Sequence, residues 1–276
     1  APPEIYTLSL HDALPIWRAT AEYLAQNGFH VYAGARKKQD LDVLAKISNI
    51  NPLQLDVTKQ SDIDSAIEEI KKRGTGLYGL VNNAGIAVAG PLMDIPIEEL
   101  EQNFNVNVFG IHRVTKACFP LILESHGRIV MMSSDSGFFA TPFFGPYCST
   151  KFAVEGYADS LRRELLLYNV KVMLIQPGRI TTPIWDKGEP LLYKYQDSIF
   201  GKEAKGIGEY AIRKGKTAGM DPIEVGKVVY QALSTPKPKL RYLVANNKMK
   251  YRMIKILPAS KVDQMIKKEL TEMKNE

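Results

Sequence analysis

At 276 residues, 45% of them hydrophobic and 24% charged, the chain is long enough for one α/β domain with a sizeable core, and its composition is that of a folded soluble protein. Its two cysteines, Cys118 and Cys148, match no disulfide framework and no metal-ligand spacing, so a metal site is not expected and a reducing cytoplasm is the expected location. The net charge of +6 is spread along the chain with a modest excess after Lys237 and no nucleic-acid motif; no apolar run approaches the ~20 residues of a membrane span, and no basic-then-apolar leader opens the sequence.

In chain order, Ile5 to Leu10 has strand character. Arg18 to Asn27 reads as a helix with Ala19, Tyr23 and Leu24 inward, closed by Gly28. Phe29 to Ala33 is a short buried strand, with Ala35-Arg36-Lys37-Lys38 just beyond it, and Leu53 to Leu55 is a strand ending in Asp56-Val57. Ser61 to Lys72 is an amphipathic helix carrying Ile63, Ala66, Ile67 and Ile70 on one face. Leu77 to Val81 gives the next strand and runs into the turn sequence Asn82-Asn83-Ala84-Gly85. Pro96 to Ser125 is one or two helices, dense in asparagine; for Asn103 and Asn105 the expectation is an amide bonded to local backbone.

Ile129 to Met132 is a buried strand leading into Ser133-Ser134, and a helix runs from Tyr147 to Leu167. Val170 to Ile175 is a strand turned by Pro177-Gly178. Alternating βα units imply an α/β fold built on a doubly wound parallel sheet with helices on both faces. Residues 183–220 break that rhythm; Trp185, Tyr193, Tyr195 and Phe200, with Phe138, Phe139, Phe143 and Phe144, suggest an apolar pocket. Asp221 is an N-cap with Pro222 at the first position of a helix to Leu233, and Leu240 to Ala245 is a final strand. The tail from Lys248 alternates basic and apolar residues around Pro258. It has two open placements: on a membrane surface, or, the favoured one, packed against the body or a neighbouring subunit.

The chemistry centres on Ser133 to Lys151. Tyr147 and Lys151 stand four apart, so in a helix the ammonium lies one turn above the phenol on the same face. Lowering a tyrosine from ~10 toward ~7 takes about 4 kcal/mol, within reach of a desolvated cation beside a charged cofactor, which makes Tyr147 a candidate general acid/base. Alone, Tyr-x3-Lys is most often a surface pair with a snorkelling lysine. Ser134, however, follows a buried strand, at the carboxyl end where open α/β sheets bind ligands.

The strand ending in Ser-Ser, the glycine-containing loop, Tyr-x3-Lys-x-Ala and Asn82-Asn83-Ala84-Gly85 together resemble the short-chain dehydrogenase/reductase family in its single-domain form. The resemblance covers Arg18 to Val244. It implies one Rossmann-type NAD(P)-binding domain over 1–276, with 183–220 as a substrate-covering insertion. It also implies a reversible alcohol/carbonyl oxidoreductase, with catalytic Asn107, Ser134, Tyr147 and Lys151. Cofactor contacts are expected from Arg36, Asp56, Val57, Asn83, Ala84, Gly85, Tyr147, Lys151, Pro177, Gly178 and Thr182. Arg36 stands where an acid would select the unphosphorylated ribose, which favours NADP, with NAD possible and a plain surface basic cluster as the competing reading. Likeness to hydroxysteroid and retinol dehydrogenases, with the apolar loops, implies a lipophilic alcohol or carbonyl substrate and a homo-oligomer. A catalytically inactive, cofactor-sensing or structural relative is the alternative.

One segment departs from the family. Its first strand ends in Thr-Gly-x3-Gly-x-Gly, whose glycines let backbone N–H groups and a helix N-terminus approach a pyrophosphate. Counting back from Arg18, those positions hold His11, Pro15 and Trp17. Pro15 lacks the N–H donor, and Trp17 is expected to fill space that the phosphates need. Tyr6 to Ile16, YTLSLHDALPI, also resembles a translated sequencing adapter, so residues 1–17 are read as a suspect non-native segment in place of the strand end and glycine loop.

Overall fold

The computed structural model describes residues 3–8 and 14–275. Seven strands form one parallel sheet in the order β3-β2-β1-β4-β5-β6-β7. They are β1 (Glu4–Leu8), β2 (His30–Ala35), β3 (Ile50–Gln54), β4 (Gly79–Asn82), β5 (Arg128–Met132), β6 (Lys171–Pro177) and β7 (Arg241–Val244). After their first residue, β2 and β5 are buried at every position, as parallel strands covered on both faces must be. The order reverses between β1, which pairs with β2, and β4, and that reversal opens a crevice at the strands' carboxyl ends. The fold is the Rossmann-type doubly wound sheet expected from the alternating pattern.

Two apolar layers hold the helices to the sheet. On one face, α1 (Leu14–Gln26) and α9 (Pro222–Ser234) pack through Ala21, Leu24, Val225 and Val229 onto Val31, Val81 and Val130. On the other, α3 (Gln60–Lys71), α5 (Ile111–Glu124) and α6 (Gly145–Glu164) pack through Ile63, Ile70, Val114, Ile122 and Val154 onto Leu80, Ile129 and Met131. Each such fully buried aliphatic contributes about 1.5–3 kcal/mol of transfer free energy.

Several local expectations hold. Asp221 Oδ1 accepts from Ile223 N at 2.8 Å, with Pro222 opening α9. The 96–125 stretch divides into α4 (Ile97–Phe104), a π-helical turn over Asn105–Gly110 and α5. A short helix, α2 (Lys38–Leu44), follows the basic cluster. Residues 183–220, which break the βα alternation, fold mainly as helices: α7 (Ile184–Lys187), a 3-10 turn over Glu189–Tyr193 and α8 (Gly201–Ala218). The tail becomes α10 (Lys248–Ile256) and α11 (Ala259–Asn275); α11 lies against α8. No helix among the described residues is long and apolar enough to cross a membrane.

The amino-terminal segment differs from expectation in one respect. Helix α1 starts at Leu14, four residues ahead of Arg18, with Pro15 in its first turn, where a missing N–H is tolerated. Trp17 is 1% exposed and belongs to the apolar layer that holds Ile5, Ala21 and Val225, so its bulk is absorbed by the core. Its indole N–H is buried without a partner, a cost of about 1–3 kcal/mol that native cores seldom carry. His11 lies outside the described residues.

Candidate functional site

The site forms at the carboxyl ends of β4, β5 and β6. After β5, Ser134 takes an extended backbone (φ −163°) and caps a 3-10 turn over Asp135–Gly137, accepting from Ser136 N at 3.1 Å. Its hydroxyl donates to Asp135 Oδ1 at 2.9 Å, with the Pro177 carbonyl at 3.4 Å. Helix α6 (Gly145–Glu164) then returns the chain so that Tyr147 stands beside Ser134, whose hydroxyl favours the phenolate.

Lys151 is 3% exposed, and its ammonium donates to the Met132 carbonyl at 2.8 Å. Nζ lies 5.5 Å from the centroid of the Tyr147 ring, over its face. Desolvation pulls Lys151 down to about 8, against the opposing charge of Glu155. The phenol itself is pushed up: burial dominates, the Ser134 bond works against it, and the charges of Asp135 and Cys148 add to it. The cation is committed to a backbone carbonyl and sits over the ring face, so in the chain alone desolvation wins.

Asn107 occupies the π-helical turn and is fully buried. Its amide accepts from Ile86 N at 2.8 Å and donates to Ile86 O and Thr150 Oγ1 at 2.8 and 2.9 Å. Asn103 donates to the same Ile86 carbonyl at 3.0 Å, so the local-backbone expectation for Asn103 gives way to a contact across the site. Both asparagines clamp the loop after β4. Within that loop a Cβ on Gly85 would stand 3.4 Å from Asn107 Oδ1 and 3.6 Å from Lys151 Nζ; the absent side chain leaves open space between the two. Asn83 and Ala84 precede it, with Ala84 buried.

On the far side of the crevice, Asp56 accepts from Thr58 N and Oγ1 at 2.9 and 2.7 Å. Desolvation opposes its ionisation, but the Thr58 bonds, Arg36 and Lys59 outweigh it and hold the carboxyl below its usual value. Arg36 Nη1 is 3.8 Å from Asp56 Oδ2, too long for a committed pair, which leaves the guanidinium donors usable. Val57 is buried beside it. Pro177 ends β6, Gly178 N donates to Val244 O at 2.9 Å, and Thr182 is buried beyond them.

The predicted residues thus divide into a cluster around α6 (Asn107, Ser134, Tyr147, Lys151), the loops after β4 and β6 (Asn83, Ala84, Gly85, Pro177, Gly178, Thr182) and a distal group (Arg36, Asp56, Val57). The aromatic set does not act as one. Phe143 and Phe200 approach at 6.4 Å between centroids, whereas Trp185 bonds the Ile180 carbonyl, and Tyr193 and Ile199 face outward, 57% and 87% exposed. Both cysteines are free and buried, and burial raises their thiols, so Cys148 is held protonated. Sequence reasoning missed Thr150 and Glu155, although Glu155 stands one turn beyond Lys151 and an i,i+4 acid was legible. It also missed Asp135.

A dinucleotide fits two of the three regions such a ligand needs. The cleared space at Gly85 beside Lys151 suits a ribose, and Arg36 suits a phosphate at the adenosine end. The pyrophosphate cradle does not fit: Pro15, in the first turn of α1, has no N–H to donate, and Trp17, turned into the core, gives the loop none of glycine's backbone freedom.

A family model described as short chain dehydrogenase matches residues 15–190. The chain is 34% identical to an NADPH-dependent 3-dehydrocapnine reductase of Ornithobacterium rhinotracheale, over 95% of each. It is 32% identical to a 3-amino-tetrahydro-pyrrolizinone reductase of Xenorhabdus hominickii, over 89% of each. Among solved structures, a short-chain dehydrogenase from Streptomyces avermitilis superposes with a TM-score of 0.76 at 25% identity, covering 100% of this chain and 97% of that one. With the parallel sheet and the site at its carboxyl edge, these matches identify the chain as a member of the short-chain dehydrogenase/reductase family of oxidoreductases.

Proposed function

We propose that the protein interconverts a lipophilic alcohol and its ketone or aldehyde, with Tyr147 as general acid/base and NADP as the preferred cofactor. The observation that carries this reading is Lys151, buried at the carboxyl end of the sheet with its ammonium over the Tyr147 ring, and Ser134 beside the same phenol. When bound, the nicotinamide supplies or takes the hydride. Ser134 holds the substrate oxygen, and Tyr147 donates a proton to it in reduction and takes it in oxidation. Lys151 binds the nicotinamide ribose and, as its Met132 bond loosens, stabilises the phenolate. The amide of Asn107 is committed to Ile86 and Thr150, so its part in the proton relay falls to backbone groups of the π-turn it braces.

The cofactor preference rests on Arg36 and on the NADPH dependence of the 34% identical reductase. Charge-assisted bonds to a 2′-phosphate are worth about 1.5–3 kcal/mol. Arg36→Asp is therefore expected to weaken NADP by about 10–100-fold in fluorescence titration and NAD far less. An equal effect on both would show that Arg36 is only a surface residue.

Lys151 gives the pH dependence a sign. It keeps its charge below about 8 and loses it above. Glu155 holds that value up, and is itself bonded by Gln176 Nε2 at 2.8 Å and Arg241 at 2.9 Å. Glu155→Gln keeps the shape and removes the charge, so the alkaline limb of kcat in the reductive direction is expected to move to lower pH. An unmoved limb would show that Lys151 does not set it.

The competing reading, a relative that binds cofactor without turnover, leaves the Ser134, Tyr147 and Lys151 constellation without a purpose. Tyr147→Phe separates the two. Substrate-covering by 183–220, assembly into a homo-oligomer and action in the cytoplasm remain part of the proposal.

A further inference from the structure

Helix α10 presents two unlike faces. Its N-cap Asn247 accepts from Lys250 N at 2.9 Å. The inner face borders the site. Tyr251 packs edge-on to the Phe138 ring at 6.2 Å between centroids, and a Cβ on Gly178 would stand 3.2 Å from the Tyr251 hydroxyl. Lys255 Nζ lies 3.7 Å from the centroid of the same Phe138 ring and 3.2 Å from Gln176 Oε1. On the outer face Met249, Met253 and Ile256 recur at i, i+4 and i+7, one helical stripe, and are 64%, 53% and 82% exposed. At 3.6 residues per turn, exposed Lys248 and Arg252 flank one edge of the stripe and exposed Lys250 the other. The helix has no acid to neutralise them.

The two tail helices therefore divide the two placements open to the tail. Helix α11 mixes Asp263, Glu269 and Glu272 with its lysines and lies against α8. The outer stripe of α10 stays exposed, and its charge says what it fits: a surface that is anionic at its face and apolar beneath. We propose that α10 docks the protein onto an anionic lipid bilayer, with Met249, Met253 and Ile256 entering the headgroup boundary and Lys248, Lys250 and Arg252 meeting lipid phosphates. A second copy of the chain fits less well, because a two-fold contact through this face sets the same cations against one another. The helix that meets the bilayer also borders Phe138 and Gly178, so docking holds the site beside the phase in which a lipophilic substrate concentrates. That consequence alone rests on the substrate reading given above; the docking does not.

The test is sedimentation of the full chain with phosphatidylcholine vesicles prepared with and without phosphatidylglycerol. With three cations at the surface, binding to the anionic vesicles is expected to be about a hundredfold tighter than to the neutral ones, and to weaken as salt is raised. Met249→Ser, Met253→Ser and Ile256→Ser together are expected to lower that binding at least about a hundredfold with the thermal midpoint unchanged, since all three side chains point outward. Lys248→Gln, Lys250→Gln and Arg252→Gln together are expected to remove the preference for phosphatidylglycerol. No binding to anionic vesicles at low salt overturns the proposal. So does unchanged binding in the apolar triple variant, which would mean adhesion by charge alone or through another surface. Concentration-dependent association of the chain in size-exclusion chromatography, lost in the apolar variant, would assign the face to a second copy and overturn it as well.

Discussion

Tyr147→Phe is expected to abolish turnover, with a loss of about a thousandfold, the range of one positioned general acid/base. The charged groups beside it are committed elsewhere, Lys151 to the Met132 carbonyl and Asp135 to Ser134. Phenylalanine preserves the ring beneath Lys151, so folding and dinucleotide affinity should be nearly unchanged. The apo chain holds the phenol high, which suits a proton donor. For oxidation it has to ionise, and the cation placed to help is Lys151, 5.5 Å from the ring centroid. Retention of most of the turnover would remove Tyr147 from the mechanism.

The second large effect concerns residues 1–17. A pyrophosphate needs several backbone donors and a close approach; losing two charge-assisted bonds at ~1.5–3 kcal/mol each lowers affinity by a factor of about a hundred or more. The chain as written is therefore expected to bind NADP poorly, and rebuilding the segment as a strand ending in Thr-Gly-x3-Gly-x-Gly to restore tight binding. Trp17→Gly alone is not a repair. Trp17 is a core side chain, so its loss from α1 should cost about 3–5 kcal/mol, with roughly another 1 for glycine within a helix. A large drop in thermal midpoint with little gain in affinity is the expected result. Comparable tight binding by the unmodified and rebuilt chains would show that the segment is a working variant.

Much of this site was legible because family motifs and physical periodicity coincide. Strand-then-Ser134, Tyr147 to Lys151 and the turn at Asn83 to Gly85 are local in sequence, and the crevice at strand ends follows from alternating βα units. What was not legible depends on long-range contact or on competition. Asn103 looked like a residue capping its own backbone, yet its partner is the Ile86 carbonyl, seventeen positions away. Trp17 looked like an obstruction because a motif places glycine there, but an aromatic near a helix start can rotate into the core. The sign of the Tyr147 shift depends on where the Lys151 ammonium points, which no spacing reveals.

The most direct measurement is the absorbance of reduced nicotinamide, followed in the chain with a rebuilt glycine loop given NADPH and a lipophilic ketone. The account predicts cofactor oxidation that depends on the ketone and disappears in Tyr147→Phe. Tight NADPH binding with no ketone-dependent oxidation across a panel of steroid, retinoid, fatty and aromatic carbonyls would contradict it and favour a cofactor-binding relative without turnover.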